Sequence, residues 1–213
     1  MAEQGKTITV GVTGASGATL AQTILRILDA DSRVARVHLV VSETGLRLFS
    51  TELGIVAPDP RKLPQLLTGT AAAKIEYLPN KDVGASIASG SAAVDAMVIL
   101  PCSVGTLGSI ASGISDDLLA RAADVCLKEG RRLVLCIRET PLNRIHLENM
   151  LRAQAAGAVI MPFMPAFYYG PKTIDDLVTQ FVFRVLAQIG LPQDEQYHWT
   201  GKVETGKGKM ENG

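Results

Sequence analysis

The chain has no surplus of either charge. Its 213 residues carry 21 Lys and Arg against 21 Asp and Glu, for a formal net charge of zero at pH 7. A nucleic-acid partner or an anionic membrane surface would select for an excess of cations, so neither is expected. Positive charge must instead cluster locally, which suits a small anionic ligand better than a polymer. No stretch of about 18 apolar residues occurs, which excludes a transmembrane helix. The start, MAEQGKTITV, shows neither the basic nor the apolar region of a signal peptide, and a cytoplasmic protein is expected.

Cysteine and histidine are scarce as well, three of each. Cys102, Cys126 and Cys136 have spacings that fit neither a zinc site nor a disulfide framework. They read as buried free thiols of a reducing compartment, with Cys102 as a nucleophile the alternative. His38 falls in a strand, His146 on a helix and His198 near the end. No two share metal-ligand spacing, so no metal is expected. Without a Ser-His-Asp grouping, ordinary hydrolase schemes find no support. Aromatic residues are only 5% of the chain. That makes it informative that Phe163, Phe167, Tyr168 and Tyr169 crowd into one Pro- and Gly-punctuated segment, PFMPAFYYGPKT (162–173). An aromatic lid over a flat or hydrophobic ligand would explain them, and so would a subunit interface.

What the chain does have is apolar content of 47% with 20% charge, the balance of a globular protein. Apolar runs alternate with amphipathic segments, the pattern of a parallel sheet covered by helices. Strands are expected at 7–12, 36–41, 96–100, 132–137 and 158–161, with a weaker one near 74–78. Helices are expected at 16–29, 43–53, 104–112, 116–129, 141–156 and 173–189, and a loop at 55–73. Ser115 with Asp116 and Asp117 would open one helix, and Thr140 with Pro141 another. Gly130, Gly157 and Gly190 would close the long ones. The expected fold is α/β, a three-layer Rossmann-like (flavodoxin-like) parallel sheet with helices on both faces. Residues 1–200 would form a single α/β domain and 201–213 a mobile polar tail.

Two turns could carry a ligand. In GVTGASGATLAQ (11–22), Gly14, Ser16 and Gly17 let the backbone pass close to a phosphate at a helix start. The spacing is neither G-x-G-x-x-G nor a P-loop, and a tight structural turn would use the same residues. The second turn, PCSVGTLGSIASG (101–113), is also rich in hydroxyls and also opens a helix. Two such turns at strand ends, with Ser42 at a third, suggest a mononucleotide or flavin. Arg138 and Glu139 in VLCIRETPLNRIH (134–146) end a core strand with adjacent opposite charges. Arginine there suits phosphate, and a carboxyl group beside it suits proton exchange. Arg184 lies on an otherwise apolar helix, where a charge needs a partner.

The segments GASGA (14–18), ASGS (88–91), PCSVGTL (101–107), DDLLARAADVCLKE (116–129), LVLCIRETPL (133–142), GAVIMP (157–162) and PAFYYGPKTIDDLV (165–178) resemble the UbiX-type flavin prenyltransferases. This family was formerly labelled aromatic-acid or polyprenyl-hydroxybenzoate decarboxylases. The resemblance runs from about residue 7 to Trp199. It implies transfer of a dimethylallyl group from dimethylallyl phosphate to N5 and C6 of reduced FMN. The product, prenylated FMN, serves a UbiD-type decarboxylase. By resemblance Gly14, Ala15, Ser16, Ser42, Ser103, Val104, Gly105, Thr106 and Arg138 hold FMN. Tyr168, Arg184, Lys128 and Arg121 meet the substrate, and Glu139, Ser16 and Lys128 are catalytic. A homo-oligomer, a dodecamer with sites between subunits, is also implied. Thr19-Leu20 and Ala92 stand where the family often has an aromatic with Gly and a Trp or Phe, so a thinner wall beside the prenyl group is expected. The alternatives are a flavin-dependent cysteine-type decarboxylase and a non-catalytic flavin carrier.

Overall fold

The computed structural model describes residues 5–199. The polar tail expected at 201–213 lies outside the described residues. Six strands form one sheet in the order β3-β2-β1-β4-β5-β6, and every neighbouring pair is parallel. They are β1 (Lys6–Val12), β2 (Val34–Val41), β3 (Ile75–Pro79), β4 (Ala96–Cys102), β5 (Arg132–Ile137) and β6 (Val159–Ile160). The central strands are buried on both faces, as parallel sheets require, and so appear in sequence as unbroken apolar runs rather than alternations. β4, AMVILPC, is buried at every position. Branched residues such as those of β2, VARVHLVV, fit this pleated surface well.

Seven α-helices complete the layers: α1 (Ala18–Ala30), α2 (Glu43–Leu53), α3 (Leu63–Thr68), α4 (Val104–Ala111), α5 (Leu118–Lys128), α6 (Arg144–Ala155) and α7 (Ile174–Gln188). Two cores result, one on each side of the sheet. Residues of α1, α2, α3 and α7 pack with one face of the strands, and residues of α4, α5 and α6 with the other. Helix α1 shows why. Its Ala21, Ile24, Leu25 and Leu28 recur at helical spacing and are all buried, forming one stripe against the sheet. Phe49 of α2 is 0% exposed, and truncating such a side chain to Ala typically costs about 3–5 kcal/mol.

Several boundaries differ from expectation. The segment 55–73 is not all loop: a 3₁₀ turn at Pro60–Lys62 leads into α3. Thr140 and Pro141 do not open α6. Asn143 does, its side chain accepting from the His146 amide while the His146 ring accepts from the Asn143 amide, a reciprocal box that satisfies two free donors. Helix α5 is capped by Asp117, not Ser115. Gly130, Gly157 and Gly190 do follow the long helices with positive φ.

His38 is buried within β2, 5% exposed. Its Nδ1 has no hydrogen-bond partner among the described residues, and its Nε2 lies 3.8 Å from a Glu76 oxygen. Burial pushes the imidazole below its ordinary 6.5, Arg36 adding to the effect and Glu76 opposing it. The unfolded chain therefore takes up this proton more readily than the folded one. Stability is complete above about pH 6.5 and declines as pH falls below it. The melting temperature should fall between about pH 7.5 and about pH 5.5, and His38→Gln should flatten that slope. Equal slopes for the two proteins would refute the assignment.

Candidate active site

Strand order reverses between β1 and β4. The chain leaves β1 toward β2 on one side of the sheet and leaves β4 toward β5 on the other. No crossover covers the carboxyl ends of this central pair, and such a crevice is where doubly wound sheets bind ligands. Three of the expected segments meet here: the turn after β1, the turn after β4 and the end of β5.

The two turns are physically tied. Thr13 Oγ1 donates to the Pro101 carbonyl at 2.9 Å and accepts from the Ser103 amide at 2.7 Å. Ser42 and Ser103 are both helix N-caps, bonding the Gly45 and Thr106 amides respectively. Each hydroxyl also meets a threonine hydroxyl, Thr44 at 3.0 Å and Thr106 at 3.1 Å, and each such pair holds two protons, one more than its mutual bond uses, so capping and ligand binding are compatible. Gly14 is needed for close approach, because a Cβ there would collide with the Thr44 side chain. At Gly105 a Cβ would meet only Ser103 Oγ, 3.9 Å away, so the start of α4 stands open.

The start of α1 does not. Sequence spacing marks it as a phosphate site, yet Glu52 at the far end of α2 occupies it. Glu52 accepts from the Gly17 amide at 3.0 Å and from the Ala18 amide at 2.8 Å. Burial alone would raise this carboxyl. Hydrogen bonds from Ser16 and from the Ala18 and Gly17 amides, together with the Arg138 charge, outweigh it and hold the carboxyl below its ordinary value. Glu52 lies 34 and 35 residues from its partners, and no local motif announces it.

Arg138 and Glu139 are neighbours in sequence, yet among the described residues no ion pair joins them. Glu139 is exposed, and its Oε1 accepts from the Thr140 amide at 2.9 Å. Arg138 is coupled electrostatically to Glu52 instead. Its Nε is buried and has no hydrogen-bond partner among the described residues. A buried guanidinium nitrogen without an acceptor is costly, and an anionic ligand would supply one.

The remaining cations divide between the two faces. On α5, Arg121 donates to the Ala88 carbonyl at 3.3 Å, and Lys128 pairs with Glu129. Both lie beside the ASGS turn, where the Glu129 carboxylate and the Lys128 ammonium lie close against Gly90. Ala92, just beyond, packs half-buried against the core on that side. Arg184 is exposed on α7, not buried among apolar groups as its sequence context suggests. It lines a crevice with Met164, Tyr168, Tyr169, Phe181 and Tyr197. Since α5 and α7 pack on opposite faces, Lys128 and Arg121 do not converge with Tyr168 and Arg184 within one chain.

The aromatic segment splits in the same way. Phe163 belongs to the core, edge-on to Phe181 with centroids 5.0 Å apart. Tyr168 is 60% and Phe167 68% exposed. Tyr168 touches Tyr169, Tyr197 and Trp199 at centroid distances of 6.2, 5.4 and 5.8 Å. All three cysteines are free and buried. Burial pushes the Cys102 thiol up to about 12, which removes it as a nucleophile at neutral pH.

Comparison with known proteins agrees with this geometry. The Flavoprotein family model matches residues 1–186. Flavin prenyltransferase UbiX of Pseudomonas aeruginosa is 45% identical over 197 residues, spanning 90% of this chain and 93% of that protein. The crystal structure of AnUbiX (PadA1) in complex with FMN and dimethylallyl pyrophosphate superposes with a TM-score of 0.83 at 39% identity, over 93% of this chain and 100% of that one. A dodecameric FMN-dependent UbiX-like decarboxylase from Escherichia coli O157:H7 gives 0.82 at 42% identity, over 92% and 100%. With its fold, its switch-point crevice and most of its length shared with these proteins, the chain belongs to the UbiX family of flavin prenyltransferases.

Proposed function

We propose that this chain binds reduced FMN across the turns after β1 and β4 and transfers to it a dimethylallyl group from dimethylallyl phosphate. The observation that carries the reading is Arg138, a cation at a central strand end with a buried Nε that lacks an acceptor. The residues present fit a flavin phosphate and ring: the open start of α4 at Val104, Gly105 and Thr106, the hydroxyls of Ser16, Ser42 and Ser103, and the close backbone at Gly14 and Ala15. Reduced FMN supplies N5 and C6 as the atoms that accept the prenyl group. The residues 1–200 would act as one unit, in the cytoplasm. The cysteine-type decarboxylase and the passive flavin carrier lose to this reading, because neither explains both the family assignment and a strand-end carboxyl beside a phosphate-seeking arginine.

The protein's own groups divide the work. Arg138 holds an anion with fixed geometry. Glu139 has one oxygen engaged with the Thr140 amide, leaving Oε2 to carry a proton between the leaving phosphate and the flavin. Ser16, bonded to Glu52, orders the flavin edge near N5. Lys128, Arg121 and Arg184 neutralise the leaving phosphate, and Tyr168 adds a neutral hydrogen-bond donor. Together they form a clamp of four side chains. These last four sit on opposite faces of one chain, so the clamp closes only where two chains meet. A homo-oligomer follows, in the manner of the dodecameric relative. The exposed apolar residues Ile145, Leu147, Leu151, Met164 and Phe167 are available for its contacts. The product would be delivered to a UbiD-type decarboxylase.

Incubating the protein with reduced FMN and dimethylallyl phosphate, followed by mass spectrometry of the flavin, tests the whole reading; unmodified flavin would reject it. Glu139→Gln should retain FMN while turnover drops about 10²–10⁴-fold, the usual worth of a general acid–base group. Wild-type turnover in that variant would remove Glu139 from the mechanism. Arg184→Ala and Tyr168→Phe should weaken dimethylallyl phosphate binding and leave FMN affinity unchanged, and purification of either without flavin would overturn its assigned role.

Activity should also survive EDTA. Among the described residues no group of three His, Cys, Asp or Glu side chains is placed to hold a metal ion. Asp117 is committed to the Ala120 amide and Asn80, and Asp176 to the Lys172 and Thr173 amides. Loss of activity on chelation, restored by Mg²⁺, would reopen these aspartates as ligands.

A further inference from the structure

The ladder between β1 and β4 runs from Ile8 opposite Ala96 to Gly11 opposite Ile99 and goes no further. Beyond it β1 runs on to Val12 and β4 to Cys102, each still paired with its outer neighbour, Val12 with Val41 and Cys102 with Ile137, the β4–β5 pairing shifting register between Ile99 and Cys102. The seam between β1 and β4 at the crevice is thus the part of the sheet that the ladder leaves unjoined. Thr13 spans that gap. It is 1% exposed, and its amide donates to the Pro101 carbonyl at 3.2 Å. Its hydroxyl donates to the same carbonyl at 2.9 Å and accepts from the Ser103 amide at 2.7 Å. A hydroxyl has one proton and Pro101 takes it, so the direction of both bonds is set.

We propose that the Thr13 hydroxyl is a positioning group for prenyl transfer, setting the separation of the two turns that hold the flavin. The inference rests on the flavin reading above. Gly14, Ala15 and Ser16 follow Thr13 directly, and Ser103 opens the Ser103–Thr106 turn on the other side. Every proposed flavin contact of these two turns therefore lies within three residues of Thr13 or of the Ser103 amide that its hydroxyl holds. Thr13 itself is buried and acts only through the backbones it joins. Packing alone would be served equally by valine, which keeps the branched shape. Valine would leave the Ser103 amide without its acceptor and Pro101 without its second donor, and the turns would be held together there only by the Thr13 amide's bond to Pro101.

The test compares the full chain with Thr13→Val and Thr13→Ser, each titrated with FMN and assayed for flavin prenylation. Thr13→Val should raise the FMN Kd about tenfold or more, as loss of a buried bonded pair does. It should also lower kcat about 10²-fold, the effect of displacing a reacting group by roughly 1 Å, and shift the bound-flavin absorbance. Thr13→Ser, which keeps the hydroxyl, should restore all three. A valine variant with wild-type Kd, kcat and spectrum overturns the proposal, and so does a serine variant no better than valine. Should the valine variant fail to fold, hydrogen exchange on the wild-type chain decides. A protected Ser103 amide supports the clasp, and one exchanging as fast as an open loop overturns it. A wild-type chain that binds no FMN overturns the flavin reading and this inference with it, whereas a flavin-binding wild type with an indifferent valine variant overturns the clasp alone.

Discussion

The parallel pairing of β1 with β4 is the constraint on which the rest of the molecule depends. Once these two strands lie side by side at the centre, right-handed crossovers must carry β2 and β3 to one side and β5 and β6 to the other. The crevice at their carboxyl ends is a consequence of that topology, present before any residue is chosen to line it. So is the division of the helices, with α1, α2, α3 and α7 on one face and α4, α5 and α6 on the other. The proposed flavin seat is therefore assembled from turns, and only the cations of the proposed clamp come from helix faces. Its precision depends on how firmly those turns are tied down.

Much of the fold was legible in the sequence because strands buried on both faces leave unbroken apolar runs. AMVIL and RLVLCI mark β4 and β5 without ambiguity. The helix starts were harder. Pro141 suits a first turn, but the reciprocal bonding of Asn143 and His146 outcompetes it three residues later. The candidate site was legible only where chemistry and position coincide, as at Arg138 and the two hydroxyl-rich turns. Adjacency misled at Arg138 and Glu139 only as to an ion pair: Glu139 turns one oxygen to the Thr140 amide instead. Glu52 was invisible, because its role arises from the packing of α2 over α1, which no local pattern encodes.

Charge in this protein is balanced overall but not locally. Glu52 and Arg138 form an electrostatic pair at the crevice without a direct ion pair between them, and Ser16 and two amides fix the carboxylate in place. A preset dipole of this kind loses little to reorganisation when a charged ligand arrives, which is the general advantage of built-in polarity over solvent. Lys128, by contrast, already has a carboxylate partner in Glu129. Under the proposed clamp a ligand phosphate would compete with that carboxylate, which keeps the lysine from being a strong anion trap when no substrate is present.

The placement of α5 and α7 on opposite faces has an arithmetic consequence for the assembly. Under the proposed clamp, each chain contributes half of two sites and the whole of none. A defect in one chain is then inherited by a neighbour whose sequence is intact. Two differently damaged chains, one lacking the α5 cation and one the α7 cation, would between them still frame some complete sites. Under that arrangement heredity of the active site becomes a property of the contact between chains, and selection on Lys128, Arg121, Arg184 or Tyr168 acts through a pair.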